Sequence, residues 1–254
     1  MTLVDYDREA ADYDRTRGGE ARAQAAASAV AGLLPLSVRV IADVACGTAI
    51  VTTLLRSRPP GGAGPVFVVG VDRAPGMLAR AGSRLPGRIV RGDAVALPLR
   101  ATSVDAVVMV WLLHLLPDAE PVIAEAARVL RPGGVLITTV DKNEAPFAVA
   151  SDLAGVTLPW RDAHARHRTD ARDRLLALGD RHGLTAAGEA SFAGVGQGRT
   201  PRRWRSGIEA GQMPWAPPSA AGEICRAIAA LPDQDLPRPD PVFRLLALTR
   251  RPSA

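Results

Sequence analysis

The residues best placed to do chemistry gather in one stretch, where Val38 to Val44 runs into Asp43-Val-Ala-Cys-Gly-Thr-Ala49 and then into a helical pattern reaching Leu55. A turn built from small residues between a strand and a helix lets backbone N–H groups and the helix N-terminus come close to a ligand. Further on, Asp72 and Asp93 each follow a short apolar run, which puts two carboxylates at strand tips. His114 follows a fourth such run and could take a proton from a substrate hydroxyl or amine; it also reads as a packed or capping histidine. Asp141, just past a fifth run, is the second candidate base. Cys46 reads as a small buried filler rather than a nucleophile. His164 and His167 form H-x-x-H without a third ligand in sight, so no metal site is expected.

These groups need a scaffold, and the apolar pattern describes it. Runs rich in β-branched residues recur at Val38–Val44, Pro65–Val71, Arg88–Gly92, Val104–Val110 and Val135–Val140, each short and nearly all apolar, as strands buried on both faces require. Helical segments alternate with them. In the clearest, Asp118 to Arg131, Val122, Ile123, Ala126, Val129 and Leu130 share one face and Pro132-Gly133-Gly134 follows as a stop. Alternation with right-handed crossovers predicts an α/β doubly wound, Rossmann-like sheet with ligands beyond the carboxyl ends of the strands. Residues 145–168 read as irregular, 170–182 as a helix, and two more strands are expected near Leu184–Val195 and Val242–Arg250, the last antiparallel. The segment between them is far too long for a hairpin and is expected to carry helices near Pro201–Ala210 and Pro218–Ala230 as a binding lid. Trp204 and Trp215 fall in this excursion and, with Trp111, could wall an organic substrate.

Composition narrows the class. In 254 residues, 47% are hydrophobic and 22% charged, near the soluble average. No run is long enough for a membrane span, and the start carries no apolar signal core, so a cytoplasmic location is expected. Two cysteines cannot form a disulfide framework. A net charge of +5 could suggest nucleic acid, but only Lys142 among 31 basic residues is lysine and the arginines are scattered, which reads as a bias of the coding genome.

The loop at residues 43–49 is a poor G-x-G-x-x-G. Instead Ala45, Gly47 and Ala49 take the small positions of an acidic-x-G-x-G-x-G pattern, and here the chain resembles the class I S-adenosylmethionine-dependent methyltransferases, in their small-molecule, menaquinone-biosynthesis-like branch. Four more motifs fall in the family's order: Gly70-Val-Asp-Arg-Ala-Pro-Gly-Met-Leu78, Arg91-Gly-Asp-Ala-Val-Ala-Leu-Pro98, Ser103 to Val108 with Leu113-His-Leu-Leu-Pro-Asp118, and Arg128-Val-Leu-Arg-Pro-Gly-Gly134. The resemblance covers residues 38–140. It implies S-adenosylmethionine as cofactor, held by Asp43, Ala45 and Gly47 in the loop, by Asp72 and Arg73 at the ribose, by Met77, and by Asp93 and Ala94 at the adenine. Tyr6 to Arg17 resembles the family's amino-terminal helix, with Tyr13 and Arg17 meeting the methionine carboxylate; a frayed amphipathic end is the alternative. Alanine at 45 and 49 departs from glycine and narrows the backbone's approach to the ligand.

The expectation is therefore one domain over residues 1–254, with cap helices in 1–34, the cofactor-binding core in 38–140 and a substrate-side region with the lid in 145–241. A seven-stranded sheet, mostly parallel, would carry it. Its reaction would be methyl transfer to a hydroxyl or amine of a small organic molecule, a secondary metabolite, by a monomer or homodimer. C-methylation of a quinone-type ring is the alternative. RNA methylation is another, favoured by the charge and by Arg202-Arg-Trp-Arg205. Amino-methylating nucleic-acid enzymes carry Pro-Pro-aromatic where this chain has Met109-Val-Trp-Leu-Leu-His114, and neither cysteine fits a cytosine-5 nucleophile.

Overall fold

In the computed structural model, which describes residues 5–57 and 66–252, the central strands form because their side chains have apolar partners on both sides. Along β1 (Val40–Val44), Ile41 faces one way and Ala42 and Val44 the other. The alternation repeats in β4 (Val104–Met109), where Ala106 and Val108 oppose Val107 and Met109, and in β5 (Leu130–Val140), where Val135 and Ile137 oppose Leu136. With β2 (Phe67–Asp72) and β3 (Ile89–Arg91), these strands are parallel. The expected start of the second strand at Pro65 lies outside the described residues.

Two strands complete the sheet: β6 (Leu184–Ala193) and β7 (Val242–Arg250). The order is β3-β2-β1-β4-β5-β7-β6, and β7 runs antiparallel to both its neighbours. This is the doubly wound seven-stranded sheet with a reversed last strand that the pattern predicted.

The chain starts with α1 (Tyr6–Glu9), α2 (Tyr13–Thr16) and α3 (Gly19–Leu33), and α4 (Ile50–Ser57) follows β1. Ala23, Ala26 and Val30 of α3 and Val51 and Leu55 of α4 cover the Ile41 face. α5 (Pro75–Arg84) follows β2 and α6 (Glu120–Val129) follows β4. On the Val44 face, Val122, Ile123 and Ala126 of α6 pack with Leu175 and Leu178 of a later helix.

Three boundaries depart from expectation. β5 begins at Leu130, which pairs with Val104, and the exposed Arg131-Pro-Gly133 and the buried Gly134 bulge out before the register resumes at Val135. Helix α6 starts two residues after Asp118, whose carboxylate accepts from the Glu120 N–H at 3.2 Å. The third is larger. Residues expected to be irregular contain α7 (Asp152–Ala165), capped by Ser151, whose Oγ accepts from the Ala154 N–H at 3.1 Å. Pro159 inside it argues against a helix on propensity. Tertiary burial outweighs that cost, because Leu153, Ala154, Thr157 and Arg161 are all buried.

After α8 (Arg172–Arg181) and β6, the long excursion carries α9 (Pro201–Glu209) and α10 (Ala221–Ala229). With α7 they make a third apolar cluster from Phe147, Leu153, Trp204, Trp215, Ile224 and Ile228. A backbone stalk closes the base of this lid. The Gly194 N–H donates to Pro241 O at 2.8 Å and the Arg238 N–H to Arg199 O at 3.0 Å, while Asp240 accepts from the N–H groups of Gly196 and Gly198 at 2.9 and 2.7 Å. Among the described residues no helix is long and apolar enough to cross a membrane.

Candidate functional site

Between β1 and α4 the backbone alternates into the left-handed region, with φ of 58° at Ala45, 56° at Gly47 and 61° at Ala49. That conformation costs an L-residue about 1 kcal/mol, so Ala45 and Ala49 hold strain where glycine would hold none. A methyl group at Gly47 would meet nothing nearer than Met77 Sδ at 4.0 Å, so the floor of the loop is open to a ligand.

Two carboxylates hold this loop from below. Asp72, at the tip of β2, accepts from the Gly47 N–H at 2.7 Å through Oδ2 and from the Ala74 N–H at 2.9 Å through Oδ1. Each oxygen keeps a lone pair for a further donor. Asp43 is buried and accepts from Thr52 Oγ1; burial, helped by the nearby Asp72, pushes its pKa up to about 7. It lies beneath the loop rather than in the cavity wall, so its expected cofactor contact is corrected to loop support. Burial and the two carboxylates also push the Cys46 thiol far up, as suits a filler packed close to Gly70.

Above the strand tips opens a cavity of about 1030 Å³. At one end its wall holds Ala45, Gly47, Asp72, Arg73 and Met77, with Asp93 and Ala94 after β3. The Tyr13 and Arg17 side chains enter from the amino-terminal helices, which are clamped across the loop. Asp14 accepts from Thr48 Oγ1 at 2.6 Å and from Arg84 at 2.7 Å, Asp7 accepts from the Gly76 N–H at 2.7 Å, and Arg17 pairs with Glu9 at 2.8 Å.

The other end is built from β4, β5 and the lid. Trp111, just past β4, has φ of 64°, uncommon for a bulky residue, with its N–H held by Thr139 Oγ1 at 2.9 Å. Its ring stacks under the Arg22 guanidinium at 3.9 Å and against the edges of Phe192 and Phe243 at 5.8 and 5.7 Å. His114 lies on the single turn Leu113–Leu115, and its buried Nδ1 has no hydrogen-bond partner among the described residues. Burial, with the charges of Lys142 and Arg17, holds its pKa well below the usual imidazole range, so the ring is neutral at pH 7. Trp204 and Trp215 line the same cavity from the lid while packing on Phe147 at 5.2 and 5.7 Å.

Asp141 is the second correction. Its carboxylate turns to Arg168 at 3.6 Å and Arg244 at 3.4 Å, outside the wall, and the next residue, Lys142, enters the cavity instead. Sequence reasoning missed Lys142, Arg22 and Arg199 as cavity residues. Only Lys142 left a signal: it is the one lysine in an arginine-biased chain. The Arg202-Arg203-Trp204-Arg205 cluster does not form one exposed platform, because Trp204 is buried and Arg202 pairs with Asp235 at 2.7 Å.

Residues 42–138 match the methyltransferase-domain family. Among curated relatives, a demethylmenaquinone methyltransferase of Thermus thermophilus is 38% identical over 102 residues, covering 38% of this chain and 44% of that one. A trans-aconitate 2-methyltransferase of Variovorax paradoxus is 32% identical over 159 residues, 62% of this chain and 59% of that one. The chain thus spans less than two thirds of the length of these relatives. A solved S-adenosylmethionine-dependent methyltransferase from Thermotoga maritima superposes with a TM-score of 0.56 at 19% identity, covering 97% of this chain and 98% of that one, a likeness of fold.

The cofactor this family implies, S-adenosylmethionine, suits the residues present. Carboxylates at two adjacent strand tips can accept from ribose hydroxyls and an adenine amino group, and the open floor at Gly47 admits close approach of the backbone. The match at 42–138 lies on this sheet order and this loop, so the core of the chain is similar to the methyltransferase-domain family, with demethylmenaquinone methyltransferases among the relatives it matches.

Proposed function

We propose that the protein transfers a methyl group from S-adenosylmethionine to a hydroxyl or amine of a small organic molecule, a secondary metabolite, held between the strand tips and the lid. The observation that carries this is the single continuous cavity joining Asp72 and Asp93 to His114 and the lid tryptophans. When bound, the cofactor supplies a methyl group activated by a sulfonium. Asp72 accepts from the ribose hydroxyls, Arg73 flanks them, Asp93 and Ala94 meet the adenine amino edge, and Met77 packs on the ring. Tyr13 and Arg17 take the carboxylate. In-line displacement then needs an aligned, desolvated nucleophile. Trp111, Trp204 and Trp215 wall the acceptor and exclude water. Neutral His114 accepts the proton that a hydroxyl or ammonium acceptor must lose.

C-methylation of a quinone-type ring is the second reading, favoured by the name of the Thermus relative; there His114 would take a phenolic proton. Labelled methyl transfer from S-adenosylmethionine into a metabolite extract, with mass spectrometry of the product, separates the two by the atom methylated. His114→Ala should lower kcat by about 10² to 10⁴ with S-adenosylhomocysteine affinity intact. An unchanged kcat would remove His114 from the chemistry. S-adenosylhomocysteine should also raise the melting temperature by linkage while NAD does not.

A further inference from the structure

The lid half of the cavity carries four cationic side chains that have no ion-pair partner among the described residues. Arg22 from α3, Lys142 after β5, and Arg199 and Arg203 from the start of the lid all line it. Of the acids nearby, Glu9 pairs with Arg17 at 2.8 Å, Asp12 with Arg15 at 2.8 Å, Asp14 with Arg84 at 2.7 Å and Asp152 with Arg238 at 2.6 Å, which leaves Asp170 beside Lys142 against four cations. Arg22 meets the Tyr13 hydroxyl and lies on the Trp111 ring, and Arg199 lies 5.3 Å over the Trp204 ring. Stacking of this kind fixes a guanidinium plane and leaves its N–H edge free for an oxyanion.

We propose that the acceptor is an organic polyanion, bearing two or more carboxylate or phosphate groups, bound by Arg22, Lys142, Arg199 and Arg203. This rests on the methyl-transfer reading and names its substrate class. Burying like charges together is unfavourable without a counter-charge. The cofactor cannot supply that charge, because its sulfonium and ammonium outnumber its carboxylate. An anionic acceptor answers both the protein's cations and the cofactor's.

Lys142 bears the signature of this crowding. Around it stand Arg17 and Arg22 from the amino-terminal segment, His114 after β4, Asp170 ahead of α8 and Arg199 ahead of α9. The Asp170 carboxylate accepts from the Lys142 backbone N–H at 2.8 Å, and burial raises its own pKa. Burial first, then Arg17 and Arg199, lowers the Lys142 ammonium from 10.5 to about 8. Its charge is therefore present below about pH 8 and fades above it, so the free protein should lose anion affinity as pH rises through that value.

The test uses the full chain and two titrations. S-adenosylhomocysteine is titrated first. Into that complex go tricarballylate, its neutral trimethyl ester, and inorganic pyrophosphate, each by calorimetry at pH 7 and pH 9. One anion should bind at one site and the ester should not; whether tricarballylate or pyrophosphate wins separates a carboxylate from a phosphate acceptor. Affinity should fall several-fold by pH 9, and K142R should flatten that fall. K142Q should weaken the anion at least tenfold with S-adenosylhomocysteine unaffected. The exposed Arg203→Gln, which leaves the core untouched, should weaken it several-fold. Failure of both anions to bind, equal binding by K142Q and R203Q, or a parallel loss of S-adenosylhomocysteine affinity in K142Q would overturn the proposal. A protein that binds the anion but not S-adenosylhomocysteine would keep the polyanion site and lose the methyl-transfer reading.

Discussion

The two ends of the cavity are assembled by different rules. At the cofactor end, residues 45–94 supply most of the groups, from two strand-to-helix turns and the loop that follows β3, each a few residues long. At the acceptor end, Arg22, Trp111, His114, Lys142, Arg199 and Trp204 come from segments up to 182 residues apart, joined only when the lid packs down on the sheet. The first end is acidic and small-walled, the second cationic and aromatic. Local turns can specify a cofactor by themselves, whereas the acceptor is specified by tertiary packing, so damage to each end should read out differently.

The largest effect is expected at the acceptor end. Trp204 is 4% exposed and packs on Phe147 and Trp215, so Trp204→Ala should cost about 3 to 5 kcal/mol by opening a cavity in the lid core. If the lid were instead an appendage that the acceptor alone organises, thermal or urea unfolding would be indifferent to the change. Asp72→Ala comes next. It should weaken S-adenosylhomocysteine by about 1.5 to 3 kcal/mol, because a charge-assisted acceptor and the anchor of the Gly47 N–H are lost together. Calorimetry on the folded variant checks this, and equal affinity would detach Asp72 from the ribose. The smallest effect belongs to the loop. Ala45→Gly relieves the left-handed strain but loosens the unfolded chain, leaving stability within about 1 kcal/mol of the parent; a loss beyond that range in urea titration would show the Ala45 methyl to be needed for packing.

The same contrast explains what the sequence let one read. The strands, their order of appearance and the turn carboxylates at 72 and 93 were legible because apolar runs and local motifs carry them within a few residues. Asp43 was placed in the ligand contact set because spacing along the chain does not reveal depth; only the fold shows it beneath the loop with Thr52. Asp141 and Lys142 are adjacent, and the chain conformation at the tip of β5, with φ of 47° at Asp141, decides which of them enters the cavity. Helix α7 was missed because residues 145–168 carry no clear local pattern and Pro159 lies inside the helix, while the burial that stabilises it comes from α9 and α10, beyond β6 in the chain.

The closed stalk under the lid isolates the excursion from the sheet. Where strands β6 and β7 end, at Ala193 and Val242, paired backbone shuts the base of the excursion, so the sheet meets the same short neck whatever lies beyond it. Lengthening a loop whose ends are already fixed costs little, about 0.6 kcal/mol for each doubling. A change of length between Gly198 and Arg238 therefore costs the sheet little, so long as the side chains that pack on Phe147 and Leu153 are kept. The neck thus separates two kinds of constraint: length, which the sheet hardly feels, and apolar packing, which ties the excursion to the helix beneath it.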